Sequence, residues 1–322
     1  MSLKKCEIKI ERSGVSTSYQ DLGRISVQYL GIVEGGSIDQ SSSKICNAIL
    51  QNNENESLIE FAYQGPKFSI ISGRCKIAIT GEVIFEIQKK NNKKLTGVTY
   101  RSYILEEGDT VDIISVTNSV YGYLGFEGGI QIEEYFGSVS TNYKSGIGKN
   151  NGSKIQENDK IILKRNNISD DEYQLLRLPD KAKKNKIRVL DGPQLDYFSK
   201  KGVNDFFASD FLVSNLTDKM GMRLKGNQIE HSKSPNIKSE GIIRGAIQVP
   251  ADGQPIVLLS DHQTIGGYPK IAVVISADFE DLVQTLPGQL IKFRRVNMRE
   301  AEISYNLKNK TIENIISSIK KI

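Results

Sequence analysis

The stretch "QVPADGQPIVLLSDHQTIGGYPK", Gln248 to Lys270, places three Gln, three Gly, three Pro and two Asp around one short apolar run. Asp252-Gly253 is a turn signal, and Pro255 stiffens the exit from it. "IVLL" then supplies a strand. "SDHQTIGGYP" follows at its end, where a rigid scaffold tends to present functional side chains. Asp261 stands beside His262 and could orient its imidazole. A lone histidine is more often structural, so His262 is not assigned a role.

Two other clusters carry residue types suited to anions. "QDLGR", Gln20 to Arg24, puts a carboxylate, a glycine and a guanidinium in five residues. It reads either as a turn whose Asp bonds its own backbone, with Arg24 pairing locally, or as an Arg offered to an anionic ligand. The planar guanidinium fork suits a carboxylate or a phosphate. "GFEGGIQIEEYFGSVSTNYKSGIGKNNG", Gly125 to Gly152, holds glycine pairs, then "GSVST" with Ser140 and Thr141, then "SGIG". Stacked Gly, Ser and Thr amides can form an anion nest. The segment reads equally as a glycine-rich connection between strands, and it fits neither the P-loop nor the dinucleotide fingerprint.

The composition narrows the chemistry. Only two histidines, His231 and His262, and three cysteines, Cys6, Cys46 and Cys75, occur in 322 residues. No CxxC pair is present. A multi-histidine metal site and a cysteine-rich zinc site are therefore not expected, and no metal is assigned. A net charge of +5 is modest. The lysine runs at Lys89 to Lys94, Lys181 to Lys186 and Lys320-Lys321 lack interleaved aromatic residues, so no nucleic-acid partner is expected. "MSLKKCEIKIERSG" has no apolar h-region, and no apolar run approaches the ~18 residues of a membrane span. The expectation is a cytoplasmic protein with no membrane partner.

The elements that must position these residues read as mainly β. Short β-branched runs occur at Phe68–Ile71, Lys76–Thr80, Val83–Ile87, Val111–Ile114, Lys160–Leu163, Ile187–Leu190, Ile256–Leu259, Ile271–Ile275 and Leu290–Phe293, and Gly, Pro, Asn or Asp separates them. Many short strands at close spacing suggest barrels or sandwiches. Helices are expected over Ser37 to Leu50, Asp278 to Leu286 and Lys310 to Ile322. Lys181 to Lys186, after Leu178-Pro179-Asp180, reads as a linker. It implies a first β-barrel domain over 1–180 and a second over 181–322, with strands free to cross the approximate boundary. Gln20 to Gly31 and Thr217 to Gly226 echo each other, as do Gly65-Pro66 and Gly192-Pro193, which hints at internal duplication.

The chain also resembles the biotin-dependent carboxyltransferase-like family. That family includes the 5-oxoprolinase C subunits, KipA proteins and the second allophanate hydrolase subunit-like region of urea amidolyase. The likeness is carried by "QDLGR", "GSIDQSSSKICNAIL", "EFAYQGP", "YLGFEGGI", "GSVST", "DGPQLDYF", "DKMGMRL", "SEGIIRGAIQVPADGQPIVLLSDHQTIGGYPKIA" and "PGQLIKF", in that order. It implies two cyclophilin-like β-barrel domains with a few short helices. The family often has a Gly-Asp turn before its closing strands, and here Asn158-Asp159 and Gly288-Gln289 stand instead.

The resemblance further implies one component of an ATP-dependent 5-oxoprolinase that opens 5-oxo-L-proline to L-glutamate. Its partners would be the KipI-like B subunit plus the A subunit of that complex, with ATP bound in the assembly. The alternatives are a carboxyltransferase that takes carboxybiotin from a biotin carrier on a separate chain, and a KipA-like regulator with no activity of its own. On this reading Arg24 and Lys270 would meet developing negative charge, and Asp252 or Asp261 would position water or a proton. Gln20, Ser140, Thr141, Arg223, Gln248, Gln254, Gln263, Thr264, Gly266, Gly267 and Tyr268 would line the substrate site. A lactam, urea and the biotin ureido group each present an amide N–H beside a C=O. The carboxamides of Gln248, Gln254 and Gln263 can pair with such an edge reciprocally.

Overall fold

Every β-branched run named above forms a strand in the computed structural model, which describes residues 5–165, 167–176 and 185–322. The chain folds as two compact units. Met1–Ile25, Gly35–Pro179 and Ile312–Ile322 make one, and Ser26–Glu34 with Asp180–Thr311 make the other. The expected boundary and most of the expected linker fall on residues 177–184, outside the described residues, while Lys186 already opens a strand.

The first unit is built from two antiparallel sheets over one core. One sheet runs in the order Lys160–Ile162, Glu7–Arg12, Lys67–Ser72, Thr110–Val116, Val83–Gln88, Lys94–Thr96. The other runs Ser18–Gln20, Leu58–Ala62, Tyr121–Phe126, Arg74–Thr80, Ser102–Glu106. Val83–Gln88 shows why these residues make a strand. Val83, Phe85 and Ile87 are buried while Ile84, Glu86 and Gln88 are exposed, the period-two pattern of a half-buried sheet. Ile8, Phe68 and Val111 from one sheet meet Ile59, Phe61 and Leu124 from the other in a single cluster.

Tyr121–Phe126 is buried along its whole length because both of its faces are covered. Phe126 meets Phe68 edge to face, with centroids 6.1 Å apart. The helix Gln40–Ile49 covers the opposite face. Gly125 permits that approach, since a Cβ there would lie 2.7 Å from Leu50 Cδ1 and 2.9 Å from Cys46 Sγ. Asp39 caps the helix by accepting from Ser42 N at 2.9 Å, and its own N–H donates to the Tyr123 hydroxyl at 2.8 Å. Cys6, Cys46 and Cys75 are buried free thiols, and burial pushes the Cys46 thiol up to about 12. Asn158 takes φ 69°, a left-handed conformation that asparagine tolerates.

The second unit closes into a seven-stranded barrel. Its order is Lys186–Asp191, Lys270–Val274, Ala246–Gln248, Ile256–Leu258, Gly221–Lys225, Phe211–Thr217, Leu290–Arg295. The last strand returns to the first in parallel, and the other pairs are antiparallel. A two-stranded sheet, Glu240–Gly241 with Ile265–Gly266, accompanies the barrel. Gln20–Arg24 is a strand end followed by a loop, whereas Thr217 and Gly221–Lys225 belong to a hairpin, so the two echoing segments differ in local structure.

Three of the longer helices among the described residues depart from expectation. The helix expected over Asp278 to Leu286 runs Ser276–Val283. The one expected at the C-terminus runs Met298–Ser317, and Ile319–Lys321 is a strand paired with Tyr173–Leu175. Asn297 Oδ1 accepts from Glu300 N at 2.9 Å, a start signal 13 residues before the expected helix at Lys310. The third departure is an additional helix, Lys200–Ala208. Ser199 Oγ caps it by accepting from Gly202 N at 3.0 Å. Gly202, a residue that speaks against a helix, is there because a Cβ would meet Glu230 O at 2.3 Å. No helix among the described residues is long and apolar enough to cross a membrane.

Arg188, on the first barrel strand, holds the helix Ser276–Val283. Its Nε and Nη2 donate to the two Asp278 carboxylate oxygens at 2.9 and 2.7 Å, and its backbone N–H donates to Oδ2 at 2.9 Å. Asp278 is fully buried. Replacing Arg188 by Met leaves a buried carboxylate without its counter-charge, at a cost of about 3 kcal/mol. Thermal unfolding of Arg188→Met checks this, and a stability equal to that of the unmodified chain would contradict it.

Candidate functional site

In the first unit the structure brings "QDLGR" and "GSVST" together. Asp21 accepts from Gly23 N at 2.8 Å, Ser138 Oγ at 2.6 Å and Val139 N at 2.9 Å. Gln20 Nε2 donates to Thr141 O at 3.2 Å, and Gln20 Oε1 accepts from Ser140 Oγ at 2.6 Å. Arg24 Nε donates to Tyr135 O at 3.1 Å and Nη2 to Ser140 O at 2.5 Å. Gln20, Arg24, Ser140 and Thr141 are all nearly inaccessible. Arg24 is thus a long-range clamp on the carbonyls of the glycine-rich segment, and Asp21 combines a local turn with the same segment. The network fixes the loop's shape. A buried network of this kind favours one arrangement, although the Thr141 hydroxyl within it has no hydrogen-bond partner among the described residues.

The second unit holds an open pocket of about 480 Å³ that gathers Arg223, Gln248, Gln263 and Tyr268, with Ile256 and Leu258 as apolar wall. Strand register explains the gathering. Gln248 and Arg223 each stand opposite Ile256, on neighbouring strands, and Gln248 is also opposite Lys270. Met222 and Val257 of the same strands are buried in the barrel, so the pocket residues take the alternate face. Gln248 is 2% exposed, and its Nε2 finds no hydrogen-bond partner among the described residues. A buried amide donor left unpaired costs about 1–3 kcal/mol. Gly266 makes room for it, since a Cβ there would sit 2.6 Å from that Nε2.

Lys270 is 3% exposed, and its ammonium pairs with Glu240 at 2.6 Å. Gln194 Nε2 also donates to Glu240, at 2.8 Å, and Gln194 Oε1 accepts from Lys270 N at 3.2 Å. The Lys270 ammonium, then the Gln194 amide, hold the Glu240 carboxyl below the usual range. Motif reading does not single out Glu240 or Gln194. Both lie in quoted family segments, "SEG" and "DGPQL", and only the register places them beside Lys270. Asp218 and Asn215 also line the pocket unforeseen, and Asp218 Oδ1 accepts from Met220 N at 2.8 Å.

Other expected residues lie elsewhere in this unit. Thr264 and Gly267 accept through their carbonyls from Ile242 N and Ile237 N. Asp261 is buried, with its N–H donating to Lys219 O at 2.8 Å. Asp252 is exposed and lines a separate hollow of about 750 Å³ with Glu230 and His231. Gln254 does pair an amide reciprocally, but that amide is the backbone of Gly226. Its Oε1 accepts from Gly226 N at 3.0 Å and its Nε2 donates to Gly226 O at 3.2 Å. His262 is buried, Nδ1 lies 2.6 Å from Gln263 O, and burial lowers its pKa. Among the described residues no group of three or more His, Cys, Asp or Glu side chains is placed to hold a metal ion.

The chain as a whole is similar to known proteins. Residues 30–295 match the model of the carboxyltransferase domain, subdomain A and B, and the chain belongs to that family. It is 31% identical to the 5-oxoprolinase C subunit of Escherichia coli (strain K12) over 294 residues, which cover 91% of this chain and 93% of the relative. It is 30% identical to the Haemophilus influenzae protein of the same name, over 88% of this chain and 89% of the relative. In three dimensions it is similar to the crystal structure of the Kluyveromyces lactis urea carboxylase, with a TM-score of 0.86 and 25% identity. That match covers 98% of this chain and 30% of the larger one. The K. lactis urea amidolyase matches at the same TM-score of 0.86, over 20% of its length.

Two glutamine variants separate site from scaffold. Gln248→Leu removes a buried donor that has no partner, so the melting temperature stays the same or rises while ligand binding falls. Gln254→Leu breaks two bonds to Gly226 and lowers stability by about 1 kcal/mol. Parallel thermal unfolding and ligand titration check both, and a destabilised Gln248→Leu would remove it from the site. His262→Ala is expected to keep most of the complex's turnover, and a hundredfold loss with the fold intact would show a general base.

Proposed function

We propose that this chain is the C subunit of an ATP-dependent 5-oxoprolinase complex, which opens the lactam of 5-oxo-L-proline to L-glutamate with hydrolysis of ATP. The observation that carries this reading is the 31% identity to a 5-oxoprolinase C subunit that extends over 93% of that relative. Gln248 supports it, because it lines the pocket and its buried amide donor, without a partner among the described residues, suits the carbonyl of a cyclic amide. The partners are the KipI-like B subunit plus the A subunit of the complex.

A lactam carbonyl is a poor electrophile, and phosphorylation of its oxygen by ATP in the complex would make it a better one. The part of this chain is to hold the amide edge and to stabilise the charge that develops on oxygen. Preorganised donors act most strongly where water is excluded. Gln248 Nε2 is such a donor, and Lys270 places a cation one strand away. Glu240 orients that ammonium through their ion pair.

A second reading draws on the fold of urea carboxylase, to which the chain is similar at a TM-score of 0.86. The ureido group of carboxybiotin presents the same donor and acceptor edge and would fit Gln248. Biotin would supply an activated carboxyl group from a separate carrier. Reconstitution decides between the two. The chain co-expressed with the A and B subunits is expected to release glutamate from 5-oxo-L-proline only with ATP present, and to release none alone. Absence of glutamate together with ATP-independent decarboxylation of carboxybiotin would favour the second reading.

A further inference from the structure

Four neighbouring barrel strands present Lys270, Gln248, Ile256 and Arg223 as one row across the sheet face. Lys270 is already paired with Glu240. Arg223 differs. Its side chain lies in the exposed class and lines the pocket, and it makes no hydrogen bond or ion pair among the described residues. Adjacent strands lie about 4.8 Å apart, so Gln248 and Arg223 stand roughly 10 Å apart at the backbone. An Arg side chain reaches across much of that span. The gap left between a carboxamide and a guanidinium suits one small molecule with an amide edge at one end and an anion at the other. Ile256, between them, provides an apolar floor for the atoms that join the two ends.

We infer that Arg223 sets substrate charge preference, because it takes the carboxylate of a cyclic amide whose amide edge is paired by Gln248. This rests on the lactam-opening reading above and adds a specificity-determining residue to it. In such a ligand the carboxylate sits on the ring carbon next to the lactam nitrogen. When Gln248 Nε2 donates to the lactam oxygen and Oε1 accepts from the lactam N–H, the carboxylate projects along the same edge. The guanidinium fork then meets it with two parallel N–H donors. Asp218, the acidic side chain lining the pocket, has Oδ1 engaged by the amides of Met220 and Gly221, which keeps that oxygen in its own turn. A neutral lactam or a urea would satisfy Gln248 and leave Arg223 unused.

Binding to the full chain tests the assignment without requiring turnover. The probes are 5-oxo-L-proline, 2-pyrrolidinone, which lacks the carboxylate, and 2-imidazolidinone, a neutral cyclic urea, each titrated by calorimetry or ligand-observed NMR. The unmodified chain should bind 5-oxo-L-proline about tenfold or more tightly than 2-pyrrolidinone. Arg223→Gln should bring that ratio close to one while leaving 2-pyrrolidinone binding and the melting temperature unchanged. Gln248→Leu should weaken both lactams together. The inference is overturned if Arg223→Gln keeps the preference, if it weakens both lactams equally, or if the unmodified chain shows no preference or no binding. Glutamate release by the unmodified complex judges the enzymatic reading separately. Release that persists with a ratio unaffected by Arg223→Gln sinks only the assignment of Arg223. Tighter binding of the cyclic urea, with no release, sinks both.

Discussion

Closure of the seven-stranded ring governs what the second unit can display. In an open sheet an edge strand can slip. In this ring every strand has two neighbours, and a one-residue slip would turn every inward side chain outward. Ala246–Gln248 is only three residues long, yet it is gripped by Lys270–Val274 on one side and Ile256–Leu258 on the other. The register shift between Ile247 and Gln248 is part of that grip, because it brings Gln248 opposite Lys270. The pocket is therefore a consequence of register. Its side chains project from a backbone that cannot yield to a ligand.

The first unit uses its polar residues differently. Asp21, Gln20 and Arg24 are hydrogen-bonded inward to Gly137–Thr141 and its flanks, so the carboxylate and guanidinium suggested by "QDLGR" hold a loop. Arg24 meets main-chain carbonyl oxygens more than a hundred residues away, and an arginine can do this because five fixed donors let it join several acceptors at once. In the second unit Gln248 keeps an open donor, while Arg188 and Gln254 are engaged as Arg24 is. Arg24 and Arg223 thus differ in whether nearby carbonyls engage the guanidinium fork.

Much of the fold is legible in the sequence because period-two burial leaves a local signature. Val83, Phe85 and Ile87, like Phe68 and Ile70, are β-branched or aromatic residues at every second position, and these are the buried ones, although Ile84 and Ile71 break the polar run on the other face. Each departure has an identifiable physical cause. Gly202 masks the helix Lys200–Ala208, since its reason for being glycine is the Glu230 carbonyl, a contact 28 residues away. The C-terminal helix starts earlier than its apolar pattern suggests because Asn297 caps it. Within the site, "QVPADGQPIVLL" marks Gln248 and Gln254 alike as amide-pairing groups. One meets Gly226, while the amide donor of the other meets nothing among the described residues. No spacing rule could separate them, because the separation depends on which strand lies alongside.

The density of Gly, Pro and Gln that marks Gln248 to Lys270 follows from the same geometry. Pro255 and Pro269 stand immediately before the strands Ile256–Leu258 and Lys270–Val274, and Gly253 takes φ 72° in the turn between Gln248 and Ile256. Rigid entries keep both neighbours of Gln248 in register. Gly266 then clears the space that its carboxamide occupies. An unsatisfied amide in a flexible loop would turn to water at little cost. Held in a closed barrel, roofed by a residue with no side chain, it cannot turn, and the penalty of about 1–3 kcal/mol persists until an acceptor arrives. On the lactam-opening reading that penalty is relieved by a ligand with a carbonyl at that point, and a scaffold this rigid would favour an amide over a ligand without one.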